Sequence, residues 1–233
     1  MVVGLAFLAT AVSAWFAQTM LVRWTQGHRP QNGAWATALG MFALASAALA
    51  TGTSTGWDAG TFRVFYLFGA ILDVPWLAMG TVYLLAAPHL ARRVRNCLLV
   101  FSGFAAGALA IAPMEPIPAR GVSVTAIPVG KDVFGTLPRV LAAVGSGVAA
   151  TVIIVGAVVS AVRYARDRAP GHGRQAAANG LIALGTLVLS SGGLVQGLVG
   201  HDEAFALSLA VGISVIYAGF VLASAGSRAA RQG

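Results

Sequence analysis

Charge is scarce in this sequence. Only 9% of its 233 residues are Asp, Glu, Lys or Arg, against about a quarter in an ordinary soluble domain, while 58% are hydrophobic. Such a chain has too few solvated groups to cover a surface that faces water. Cysteine is scarcer still: the single Cys97 excludes an intrachain disulfide, and no Cys/His cluster has the spacing of a structural zinc site. Lysine occurs once, at Lys131, outside every apolar run, so no run can carry a retinal Schiff base. His28, His89, His172 and His201 also fall between the runs, which removes haem ligation within a membrane. No cofactor and no metal site is implied.

Long apolar runs are what the sequence has in abundance. They read as helices at about Val2–Val22, Gly33–Thr51, Thr61–Ala87, Asn96–Met114, Val140–Val162, Gln175–Leu198 and Ala204–Ala223. About 20 residues cross a hydrocarbon core as a helix, and within lipid only helices or closed barrels satisfy their own backbone. The expectation is an all-α, polytopic protein of seven transmembrane helices. The first run has no basic residue before it and Arg23 after it, so it reads as a span rather than a cleaved leader.

Basic residues alternate between the two sides of these runs. Arg23 and Arg29, then Arg92, Arg93 and Arg95, then Arg163, Arg166, Arg168 and Arg174, and finally Arg228 and Arg231 share one face. The other receives only Arg63, Arg120, Lys131 and Arg139, together with most of the acids. The net charge of +8 therefore reads as membrane orientation and not as a nucleic-acid footprint. The positive-inside rule predicts a plasma-membrane protein with its N-terminus outside and its C-terminus inside.

An internal repeat runs at an offset of 140 residues. Arg23–Gly52 laid on Arg163–Gly192 gives ten identities in thirty without a gap, among them Pro30/Pro170, Gly40/Gly180, Leu49/Leu189 and Gly52/Gly192. The offset continues through Phe65/Phe205 and Ala70/Ala210. Residues 1–87 and 139–233 then form two parallel three-helix repeats of a single membrane domain, with a connector helix and a long outside loop in 88–138. This 3+1+3 order resembles the SWEET and PQ-loop family, and the seven-helix, N-out arrangement is similar to the microbial rhodopsins. The resemblance is architectural: Pro30 and Gln31 are expected in a loop, whereas the PQ-loop signature lies within a helix. It implies a substrate site between the repeats.

Asp73 is the leading site candidate, because it falls near the middle of the third run. A carboxylate at that depth costs about 3 kcal/mol or more unless it is paired, hydrated or neutral. Its helical face holds Tyr66 and Trp76 among small residues, and Pro75 is expected to kink the helix beside it by leaving the Ile71 carbonyl without a donor. No other run carries a Lys, Arg or His, so an ionised Asp73 would need a proton, a cation or a cationic group from outside the chain. The competing reading is a protonated acid that bonds a neighbouring helix.

Asn179, Gln196 and Gln18 are costly to bury and are weaker cavity candidates. Hydroxyls such as Thr10, Ser13, Thr151, Thr186 and Ser214 are expected to bond their own preceding carbonyls. The long outside loop, Glu115–Arg139, is expected to act as a lid. Pro113, Met114 and Glu115 form a Pro-x-Glu triplet similar to a motif of membrane-bound carotenoid cyclases, which implies a membrane enzyme acting on lipids or isoprenoids. The favoured expectation is a transporter-like or solute-binding protein with a proton- or cation-linked site at the repeat interface. The alternative is a non-catalytic subunit, sensor or assembly partner. The partners expected are the lipid bilayer, a small solute or cation, or a membrane protein, and no nucleic acid.

Overall fold

A computed structural model of the chain describes residues 2–115, 126–166, 172–199 and 202–229, without some side chains in the later helices, those of Asn179 and Gln196 among them. The described residues are helical almost throughout: α1 (Val2–Gly27), α2 (Pro30–Thr55), α3 (Ala59–Leu85), α4 (Pro88–Ile111), α5 (Thr136–Arg166), α6 (His172–Val199) and α7 (Asp202–Ala229). Six of them, α1 to α5 and α7, are long and apolar enough to cross a membrane; α6 has a shorter apolar stretch, Gly180–Gly192.

The helix ends follow from local chemistry. α1 closes where His28 takes a left-handed φ of 49°. Pro30 and Gln31 do not lie in a loop but form the first turn of α2, where the missing proline N–H costs nothing and its fixed φ suits the helix. α2 ends at Gly56, whose φ of 97° requires a residue without a Cβ. Asp58 starts α3 by accepting from the N–H groups of Gly60 and Thr61. α4 begins at Pro88, well before the Asn96 expected from hydropathy, so Arg92, Arg93 and Arg95 lie on its first turns and not in a loop. At its other end the Arg63 guanidinium donates to the carbonyls of Leu109, Ala110 and Ala112, which a helix terminus leaves unpaired. The expected hydroxyl pattern holds at Thr10, Ser13, Thr151, Thr186 and Ser214, each bonded to the carbonyl four residues back.

In the packing order α1 touches α2, α2 touches α3, α3 touches α5, α5 touches α6, α6 touches α7 and α7 returns to α1, while α4 lies outside this ring against α3. One apolar core joins α1, α2 and α7 through Ala9, Phe16, Met20, Leu39, Phe42, Ile213 and Ile216. A second joins α3 to α4, α5 and the loop between α4 and α5 through Phe62, Tyr66, Leu109 and Phe134. Lipid is as apolar as these side chains, so their association rests on dispersion contacts and close approach and not on the hydrophobic effect.

Candidate functional site at Asp73

α3 is not a uniform α-helix. Tyr66–Leu72 form a π-helical turn, and the Asp73 N–H donates five residues back, to Phe68. Such a turn widens the helix by one residue and leaves carbonyls poorly matched to donors. Pro75 follows at once and removes the N–H that would ordinarily reach the Ile71 carbonyl. Two backbone irregularities therefore flank one carboxylate.

α5 is shaped to receive this segment. Ser146 Oγ donates to the Ala70 carbonyl at 2.7 Å, which satisfies one disturbed acceptor from a neighbouring helix. Gly145 lies against the Ile71 carbonyl, where a Cβ would stand only 3.1 Å from the oxygen. Sequence reasoning passed over Ser146; its signal was a hydroxyl between two glycines, Gly145 and Gly147, in an otherwise apolar run.

Asp73 itself is 8% exposed. Its Oδ1 accepts from the N–H of the next residue, Val74, at 2.6 Å. This is the hydrogen bond described for its side chain, and it stays within α3. Along the helix, Asp73 lies between two close approaches to α2: Gly69 against Ala45, and Gly80 beneath the Trp35 indole.

The other expected site residues are placed apart from it. Tyr66 is buried in an aromatic cluster, with ring centroids 5.0 Å from Phe134 and 5.9 Å from Phe62. Trp76 faces α4, where its Nε1 donates to Ser102 Oγ at 3.2 Å. Pro75 is buried on the same turn as Asp73. Gln18 is exposed. The side chains of Asn179 and Gln196 lie outside those described, as does His201.

The described end of the long loop between α4 and α5 folds back over the helix ends. Ile127, 4% exposed, inserts among Ala6, Leu49 and Ala50 of α1 and α2. Its N–H donates to Asp202 Oδ2, at the start of α7, at 2.8 Å. Val133 and Phe134 are buried beside Phe62 and Tyr66, and the Glu115 N–H donates to the Val133 carbonyl. Above Asp73, toward the Asp58 end of α3, the ring is thus covered by Trp57, Phe62, Phe65, Phe134 and Phe205. Pro116, Pro118 and Arg120 lie outside the described residues.

Comparison with known protein families, with characterised proteins and with solved structures returns no match.

Proposed function

We propose that this chain is a seven-span plasma-membrane protein, N-terminus outside, that binds or moves a small solute with Asp73 as its proton or cation group. The observation that carries the reading is the hydrogen bonding of Asp73. A buried acid kept only to tie helices together would bond across to a neighbour, whereas its described bond goes to its own Val74 N–H. The inter-helix bonds on either side of it are made by Ser146 to the Ala70 carbonyl and by Trp76 to Ser102, so helix packing here does not use the acid. A π-helical turn inside a long helix is also a frequent mark of a functional segment.

The two-repeat arrangement supports the same reading. Some positions 140 apart share their burial, as in Ala38 and Ala178 or Ser46 and Thr186, while others such as Ile71 and Val211 do not. α1 packs on α7 and α3 on α5, so the first helix of each repeat meets the third helix of the other. The matched residues Phe65 and Phe205 touch each other edge to face at 6.2 Å, as equivalent residues near a two-fold axis do. In this reading residues 1–87 and 139–233 are the repeats, α4 is the connector, and the loop around Ile127 covers the outer entrance.

The test is proton uptake by sealed vesicles containing the purified chain, driven by an imposed membrane potential and read by an internal pH dye. Asp73→Asn should lower the rate at least about tenfold, the scale of losing one proton-transfer group, while Asp73→Glu retains part of it. Equal rates for wild type and Asp73→Asn would remove Asp73 from the mechanism.

A second reading, a subunit or assembly partner, is favoured by α4. This helix lies outside the ring, with Val100 74% and Ile111 85% exposed. A stoichiometric partner retained on purification and lost on substitution of the α4 face would favour it.

A further inference from the structure

A groove of about 710 Å³ opens between α1, α2, α3 and α4, at the end of the bundle where α1 ends and α4 begins. Its size is that of an ordinary small-molecule site. One wall, from Leu21 to Gly40, is apolar apart from the Thr37 hydroxyl, with Gln18 beside Leu21. At its other end stand Trp24, Tyr83 and Arg95, with Trp76 between.

Three features define what fits. Arg95 is the charged residue of the lining, and among the described residues no carboxylate lines the groove with it. Its Nε and Nη2 donate to the Asn96 side-chain oxygen at 3.2 and 3.0 Å, which uses two of the five guanidinium donors. An Arg fork of this kind matches the paired oxygens of a phosphate. The aromatic residues beside it are of the type that membrane proteins place at headgroup level. Finally, the walls belong to helices apolar enough to span a membrane, so a ligand entering from the side brings an apolar tail. Arg23, Arg29, Arg92 and Arg93 lie at the same end of the bundle and give it the field that attracts anionic lipid.

We propose that this groove binds an acidic phospholipid, with its phosphate on Arg95, its headgroup against Trp24 and Tyr83, and an acyl chain along Leu21 and Gly40. The proposal does not depend on Asp73 or on transport.

The experiment is native mass spectrometry of the full-length chain in neutral detergent, titrated with phosphatidylglycerol, with phosphatidylcholine of the same chains, and with inorganic phosphate. One phosphatidylglycerol should remain bound at about a tenfold lower concentration than phosphatidylcholine, and Arg95→Gln should abolish that preference. Gly40→Phe puts a ring into the tail path from a position where a Cβ meets nothing within 4 Å, and an unchanged circular-dichroism spectrum and elution volume check that its fold is kept. It should weaken both lipids. Phosphate alone should not displace the lipid. Equal binding of the two lipids, an unchanged preference in Arg95→Gln, unchanged binding in Gly40→Phe, or displacement by phosphate would each overturn the proposal. The Gly40 variant and the phosphate arm stand even if Arg95→Gln fails to fold.

Discussion

The helices before α4 and those after it achieve close packing by opposite means. In α1 to α3, indoles lie on glycines: Trp35 on Gly80, Trp57 on Gly52 and Trp24 on Gly33, where a Cβ would meet the ring at 1.9, 2.4 and 3.2 Å. Trp35 also donates to the Leu77 carbonyl at 3.2 Å. In α6 and α7, backbone meets backbone. A Cβ on Gly185 would stand 2.7 Å from the Gly212 carbonyl oxygen, and one on Gly219 would stand 2.8 Å from that of Ala178. An indole on a flexible side chain can move aside; a helix backbone moves only as a whole. The first three helices thus have adjustable contacts around the π-turn and Asp73, while the last pair forms a stiffer wall.

The sharpest way to break this comparison is Gly212→Leu. A Cβ there would meet Leu189 Cγ at 2.6 Å and the Gly185 carbonyl at 3.0 Å, so α6 and α7 must separate. The expected cost is about 3 kcal/mol, the upper end for overpacking, read as loss of monodisperse protein and of the thermal transition. Gly147→Leu on α5, where a Cβ meets nothing within 4 Å, should stay within about 0.5 kcal/mol of wild type. Equal tolerance at the two positions would mean that the α6–α7 contact is not rigid.

A smaller effect is expected at Gly80. Gly80→Ala places a methyl inside the Trp35 ring, and the indole must swing away and give up its bond to Leu77. About 1–2 kcal/mol should be lost. Much of it should be absent when the same change is made in a Trp35→Leu background, a coupling of about 1 kcal/mol in a double-mutant cycle. Additive effects would show that the indole is not what fills the space.

The apolar runs and the position of Asp73 were legible in the sequence because membrane spanning is a property of composition over about 20 residues. The helix ends were less so. Pro88 to Arg95 include His89 and three arginines, which cancel the hydropathy of Leu90 and Val94, yet Pro88 is well suited to a first turn, and the helix extends through them. The kink region was half legible. Pro75 announced a disturbed Ile71 carbonyl, but the π-turn at Tyr66–Leu72 has no local signature and depends on Ser146 and Gly145 arriving from α5. Tyr66 and Trp76 share a helical face with Asp73 only under a regular 3.6-residue period. The inserted residue breaks that period between Tyr66 and Asp73; Trp76 lies beyond the π-turn on the regular helix with Asp73 and is placed apart because its long side chain reaches Ser102 of α4.

The two acids at the starts of α3 and α7 carry the comparison to its smallest expected effect. Asp58 spends its oxygens on its own helix, accepting from Gly60 N–H at 2.8 Å, Thr61 N–H at 3.0 Å and the Thr61 hydroxyl. Asp202 reaches outside its helix to the Ile127 N–H of the covering loop. Asp58→Ala should therefore speed amide hydrogen exchange at Gly60 and Thr61 alone, whereas Asp202→Ala should speed it at Ile127 and in the loop that follows. The bonds from Thr61 hold the Asp58 carboxyl below its ordinary value of 3.8. A depressed folded-state value adds stability that is fully present above 3.8 and is lost as pH falls through the lowered value. Asn also caps helices well, so Asp58→Asn should keep the cap and flatten this acid limb, while Asp58→Ala lowers Tm by about 2 °C at neutral pH. An acid limb unchanged in Asp58→Asn would place the proton uptake on another carboxylate, and a Tm unchanged in Asp58→Ala would leave Asp58 with no measurable part in holding α3.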